Sequence, residues 1–282
     1  MLNNPFGVLL YLILRNDISW GLLSEEERRS ILEANKKHNT GRDDYINPEK
    51  YGANRCTGGK NWNSFAKHGD DHRVLVLLRI LDENKPRKVL EVGPGAGFYT
   101  RAICEYPTVE NYAAIDVGQA FLDYLRPYLE AISRQRRFTY SLIQGEATQV
   151  CLPDKYDLIV LFSTVHHIPN RVDLFRGLAS MLSEKGIVFC FDPSHYIYRI
   201  LRLMKKCVTA GYLKKDFYLN KDNLSTHHMC SYGEYRKIVG SIPSLKIERV
   251  LYKLPGKVKK YDWLFVPNRW FSTEIGIIIR KS

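Results

Sequence analysis

At 282 residues the chain is long enough for one large domain, or one domain with a substantial insertion, and for an ample buried core. Hydrophobic residues at 45% and charged residues at 26% exclude a disordered or low-complexity chain, and no internal repeat is evident. The 42 Lys and Arg against 30 Asp and Glu give a net charge of +12. That surplus favours acidic partners (nucleic acid, an anionic membrane surface, a phosphorylated or carboxylated substrate) and carries no information about fold.

Residues 5–14 and 24–38 read as helices. The first is too short to span a bilayer and lacks the basic start and cleavage site of a signal peptide. Ser24 ahead of Glu25, Glu26 and Glu27 resembles an N-cap with acids in the first turn. Residues 40–67, rich in Asn, Gly, Asp and aromatics, read as an ordered loop region. Val74, Leu75, Leu77, Leu78 and Leu81 give residues 70–83 a helical apolar face.

After Pro86 strand and helix alternate. Strands are expected at Val89–Val92, Tyr112–Ile115, Phe138–Ile143, Tyr156–Phe162 and Gly186–Phe191. Helices are expected from about Phe98, over Ala120–Ile132 and over Val172–Leu182. Such alternation means a mainly parallel α/β sheet with helices on both faces. The tail departs from it, with helices expected at 195–215 and Tyr232–Val239 and late strands at Leu245–Leu251 and Glu274–Arg280. The late strands, separated by a loop with Trp263 and Trp270, suit an antiparallel hairpin at the sheet edge.

The six cysteines, Cys56, Cys104, Cys151, Cys190, Cys207 and Cys230, are scattered, with no CxxC pair and no metal-ligand spacing. They read as reduced thiols of a cytoplasmic protein, and no metal site is expected.

The chemistry begins at Val89-Leu90-Glu91-Val92-Gly93-Pro94-Gly95-Ala96-Gly97. A glycine-rich turn between a strand and a helix lets a ligand approach the backbone closely. Its spacing is GxGxG rather than the dinucleotide GxGxxG, and no GK[ST] follows to cradle phosphates. Glu91 would repel a pyrophosphate and suits a ligand with cationic groups. Asp116, 19 residues after Gly97, sits at the end of the second strand. An acid there either accepts hydrogen bonds from ribose hydroxyls or caps the next helix. Gln144-Gly145-Glu146-Ala147 follows the third strand and Phe162-Ser163-Thr164-Val165-His166-His167-Ile168 closes the fourth. Ligands of open α/β sheets bind outside the carboxyl ends of the strands, where all four of these markers fall.

The run from Val89 to Asp192 resembles the class I S-adenosylmethionine-dependent methyltransferases, in particular their small-molecule, methyltransferase type 11/25-like branch. The stretches that carry the resemblance are VLEVGPGAG, Asp116, GEA at Gly145–Ala147 and YDLIVLFSTVHHIPN. It implies a Rossmann-like seven-stranded sheet of order 3-2-1-4-5-7-6, with TEIGIIIRKS as the closing antiparallel strand. It also implies S-adenosylmethionine as cofactor and S-adenosylhomocysteine as product. Carried over, Glu91, Gly93, Pro94, Gly95 and Gly97 line the methionine part, Asp116 and Val117 hold the ribose, Glu146 and Ala147 meet the adenine, and Phe162 and Ser163 lie near the reactive end. Two positions depart from the pattern: Glu146 replaces the commoner Asp, and Gly118 stands where a small hydroxyl residue is frequent. No DPPY or NPPY tetrapeptide of base amino-methyltransferases is present.

His166 and His167, after the fourth strand, are candidate bases for a hydroxyl acceptor; packing or backbone bonding in the turn is the other reading of each. His227 and His228 are further candidates, and Tyr45, Tyr51 and Trp62 read as lid aromatics or as core of the N-terminal segment. Residues 1–85 form an N-terminal extension on the substrate side, and residues 86–282 the methyltransferase domain with a cap inserted at about 195–230. Within that cap Ile197, Ile200, Leu201, Met204 and Val208 share one helical face and Arg199, Arg202, Lys205 and Lys206 the other, with no acid between Pro193 and Lys215. The 197–208 helix therefore either contacts an anionic membrane peripherally, covers a lipid-like substrate, or packs as a cap with its basic face in water. The expected partner is a small-molecule or lipid-like substrate. The alternatives are an RNA methyltransferase working through the basic surface and a cofactor-binding protein without catalysis.

Overall fold

The computed structural model describes residues 24–26, 29, 33, 72–168, 170–193, 231–253 and 274–282. The helices expected at 5–14 and 195–215, the loop at 40–67, His227, His228 and the Trp263–Trp270 loop lie outside them. Of the helix expected at 24–38, Glu25, Glu26, Arg29 and Glu33 are helical.

The described chain runs α1 (His72–Asn84), β1 (Lys88–Val92), α2 (Thr100–Cys104), β2 (Asn111–Asp116), α3 (Gln119–Gln135), β3 (Thr139–Gln144), β4 (Tyr156–Phe162), a 3-10 turn (Val165–His167), α4 (Arg171–Met181), β5 (Leu182–Pro193), α5 (Tyr232–Gly240), β6 (Leu245–Lys253) and β7 (Glu274–Lys281). The seven strands form one sheet in the order β3-β2-β1-β4-β5-β7-β6. Strands β1 to β5 pair in parallel, while β7 runs antiparallel to both β5 and β6. The hairpin expected at the edge is therefore inserted, with β7 inside the sheet and β6 on the rim. Lys246, Glu248 and Arg249 are exposed on β6, where charge discourages pairing with another chain.

Parallel strands covered on both faces read as unbroken apolar runs. In β4, Leu158, Val160 and Phe162 face one layer and Ile159 and Leu161 the other. The first layer is closed by α1, α2 and α3, through Leu77, Leu81, Ile103, Leu125 and Leu129; the second by α4 and α5, through Leu174, Leu178, Tyr235 and Ile238. Helix α1 thus shares the core of the sheet although it precedes residue 86.

Boundaries shifted at several elements, two of them for a clear structural reason. The helix expected from Phe98 starts at Thr100 and lasts five residues, because residues 95–99 form the turn that precedes it. The helix expected to run through Leu182 ends at Met181, and β5 begins at Leu182, where it pairs with Tyr156 before a register shift.

Candidate cofactor and active site

Each parallel strand delivers its C-terminal end to one rim, and a cavity of about 390 Å³ opens there. The glycine turn after β1 is one wall. Gly93, Gly95 and Gly97 have φ of +71°, +52° and +76°, the left-handed region that side chains disfavour. The Gly97 amide donates to the Pro94 carbonyl at 2.9 Å, closing the turn. Thr164, after β4, braces it from the other side: its hydroxyl donates to the Val92 and Phe162 carbonyls at 3.1 and 2.9 Å. A Cβ on Gly93 would lie 2.7 Å from that oxygen, so the position admits no side chain.

Asp116 ends β2 on the cavity wall. One carboxyl oxygen accepts the Gly118 amide at 2.8 Å and the other the Gly95 amide at 3.2 Å. Burial pushes its pKa up to about 6, against the lowering effect of these backbone donors. Asp116 thus holds the backbone of the turn that leads into α3 and lines the cavity.

Of the other residues singled out in the sequence, Gly93, Pro94, Gly95, Val117, Glu146, Ala147, Phe162, Ser163, His166 and His167 line the cavity. Glu91 and Gly97 do not. Glu91 faces the opposite layer, wholly buried, and accepts hydrogen bonds from Tyr112 at 2.6 Å and Thr100 at 2.7 Å. Burial raises its pKa to about 7, the two hydroxyl donors opposing that rise. Its carboxylate ties β1 to Tyr112 of β2 and Thr100 of α2.

Ser163 has a φ of +51° although it is not glycine, and its amide donates to the Phe191 carbonyl at 2.7 Å. The reversed backbone turns the chain across the rim, and such strain concentrates at ligand sites. His166 lies two residues further on in the 3-10 turn. Its backbone amide and its Nδ1 both meet Asp192 Oδ1, at 3.2 and 2.8 Å. The His166 and His167 rings are 4.0 Å apart.

Several residues in or beside the cavity escaped the sequence reading. Tyr99 stacks on Phe162 with ring centres 3.7 Å apart, and Arg73 of α1 lies 6.0 Å from the Phe98 and Tyr99 ring centres. Tyr99 follows the glycine turn by only two residues, but its role depends on a ring brought in by β4. Arg73 carried no motif at all. Asp192, at the end of β5, could have been marked by the rule that placed the other strand ends on the rim.

The methyltransferase domain family matches residues 90–188. The malonyl-[acyl-carrier protein] O-methyltransferase of Brevibacillus brevis is 30% identical over 131 residues, 45% of this chain and 46% of that protein. The polyamine aminopropyltransferase of Thermococcus kodakarensis is 25% identical over 140 residues, 45% of this chain and 49% of that protein. The chain thus spans about half the length of these curated relatives. Magnesium protoporphyrin IX methyltransferase of Synechocystis, solved with bound S-adenosylhomocysteine, superposes with a TM-score of 0.55 at 14% identity, covering 85% of this chain and 97% of that one. The matched domain, with the glycine turn, the strand-end acids and the sheet order, supports a class I S-adenosylmethionine-dependent methyltransferase domain over residues 90–188.

Proposed function

We propose that this protein transfers a methyl group from S-adenosylmethionine to an O, N or C acceptor on a small or lipid-like molecule. The observation that carries the reading is the rim cavity, which joins a left-handed glycine turn to the buried Asp116 carboxylate. A carboxylate there suits a ribose diol, whose hydroxyls would add to the two backbone donors. The glycine turn admits the methionine chain against bare backbone at Gly93 and Gly95. Glu146 and Ala147, on the cavity wall, are proposed to meet the adenine, and Phe162 and Ser163 to lie near the reactive end. The volume of about 390 Å³ lies within the range of small-ligand pockets.

When bound, the cofactor supplies a carbon already activated by its sulfonium. The protein's own contribution is alignment and exclusion of water, worth up to about 7–11 kcal/mol in favourable cases. His166 and His167 are the candidate bases on the cavity wall, a role worth roughly 10²–10⁴-fold. Residues 1–85 and about 195–230 are proposed to supply the substrate side. Peripheral contact with an anionic membrane through 197–208 is proposed from its charge pattern alone. No helix among the described residues is long and apolar enough to cross a membrane.

Titration calorimetry tests the cofactor assignment. Micromolar binding of S-adenosylmethionine and S-adenosylhomocysteine is expected, with far weaker binding of NAD and ATP. Gly95→Val should abolish it, since a branched side chain at φ +52° is strained and fills the ligand's place. Tighter binding of NAD than of the methyl donor contradicts the reading.

A further inference from the structure

We infer that Asp192 and Tyr235 are positioning residues that hold His166 in its Nδ1–H form, so that Nε2 takes a proton from the methyl acceptor. The acceptor is then a group that carries a proton before transfer, a hydroxyl or an ammonium, and not a carboxylate. This deepens the proposed methyltransferase reading and rests on it only for the identity of the reaction.

The donors around Asp192 fix the tautomer of His166. Asp192 is wholly buried at the end of β5. Its Oδ1 accepts the His166 backbone amide, which has no other role than donor, and lies 2.8 Å from Nδ1 of the same residue. Its Oδ2 lies 3.1 Å from the Tyr235 hydroxyl, presented by α5. An ionised carboxylate accepts and cannot donate, so both the hydroxyl and Nδ1 supply hydrogens to it. With Nδ1 protonated, the lone pair of the neutral ring sits on Nε2. His166 itself lines the cavity, while Asp192 and Tyr235 do not.

Every neighbouring charge has a defined place. Arg171 of α4 and His167 of the same turn favour the Asp192 carboxylate, although burial dominates and raises its pKa to about 6. Glu234 of α5 is occupied by Arg171 at 3.3 Å and by the Ser231 amide at 2.7 Å. Arg171 also donates to the Ile168 carbonyl at 3.2 Å, fixing the end of the histidine turn. The Asp192 carboxylate is therefore in direct contact with the His166 ring and is hydrogen-bonded from the 3-10 turn and from α5.

In the transfer step the lone pair of a hydroxyl oxygen, or of an amine whose ammonium form has first given its proton to Nε2, forms the bond to the methyl carbon. The carbon–sulfur bond breaks with its electron pair left on sulfur. The acceptor's proton passes to Nε2, and the resulting imidazolium is stabilised by the Asp192 carboxylate. Solvent removes that proton before the next turnover. A carboxylate acceptor would bring no proton and would leave this arrangement idle.

Long-range 1H–15N spectra of the histidine-labelled protein, without cofactor, test the assignment, with the His166 signals identified by their loss in His166→Gln. The neutral ring should carry its hydrogen on Nδ1. In Asp192→Asn the protonation midpoint of His166 should fall by about one pH unit or more, as expected when an adjacent opposite charge is removed. A neutral ring protonated on Nε2 in the wild type, which needs no variant to fold, overturns the inference, as does an unmoved midpoint in a folded Asp192→Asn protein. The acceptor class has its own readout: label transferred from methyl-labelled cofactor should survive mild alkali, and release of labelled methanol would reveal a methyl ester and overturn the class. Because the spectra need no cofactor, a failure of cofactor binding in calorimetry is distinguishable from a failure here.

Discussion

Glu91 shows how the geometry of a strand places a motif residue. In the sequence it stands two residues before the first glycine and reads as a partner for a cationic ligand. In the fold the alternation of β1 turns its side chain to the layer of Tyr112 and Thr100, away from the cavity. The period-two geometry of a strand decides this, and the sequence alone does not say which face the ligand takes. Its pKa of about 7 in the fold exceeds the ordinary 4.5. Below 4.5 the group is protonated in both states. Between 4.5 and 7 the unfolded chain ionises first, so stability falls as pH rises through that window and the effect is complete above it. Asp116 and Asp192, each near 6, act with the same sign at slightly lower pH. Thermal melts at a series of pH values should show the midpoint declining from pH 5 to 7. In Glu91→Gln the slope between pH 6 and 7 should be shallower. Equal slopes in the two proteins would contradict the assignment.

At the level of elements, most of the parallel strands were legible because each carries a short apolar run bounded by turn residues. The ends of helices were less so. Leu182 read as the end of a helix and residues 183–185 as its link to a strand from Gly186, yet β5 begins at Leu182, because Tyr156 of β4 offers it a pairing partner that local propensity does not register. The contact between α4 and α5 was invisible in sequence, since Arg171 and Glu234 lie 63 positions apart and join as a buried pair with side-chain exposures of 4% and 9%. Removing one partner of such a pair leaves a buried charge and typically costs about 3–5 kcal/mol. Arg171→Met should cost that order of stability in chemical denaturation, and Arg171→Met combined with Glu234→Leu should cost less than the single change. Ser231, which caps α5 reciprocally with Glu234, keeps the helix start anchored in the single variant. A double variant less stable than Arg171→Met would show that Glu234 is not the charge left behind.

Over the whole molecule, fold and cofactor rim follow from the middle of the chain, and the selection of an acceptor does not. The four strand-end markers were separable in sequence because class I sheets bring every C-terminal strand end to one rim. The aromatic pair Tyr99–Phe162, Arg73 and Asp192 were not, because each acquires its meaning from a residue tens of positions away. The positive charge of +12 is a property of the full sequence, and charge alone favours nucleic acid and anionic lipid equally. The relatives include an aminopropyl-transferring enzyme beside methyl-transferring ones, so the transferred group is the point on which the account stands or falls. The direct measurement is to incubate the protein with cell extract and S-adenosylmethionine labelled in its methyl group, then separate small molecules, lipid, RNA and protein. The account predicts label in the small-molecule or lipid fraction, lost in Gly95→Val. Label in RNA, or label in no fraction while the cofactor still binds, would contradict it.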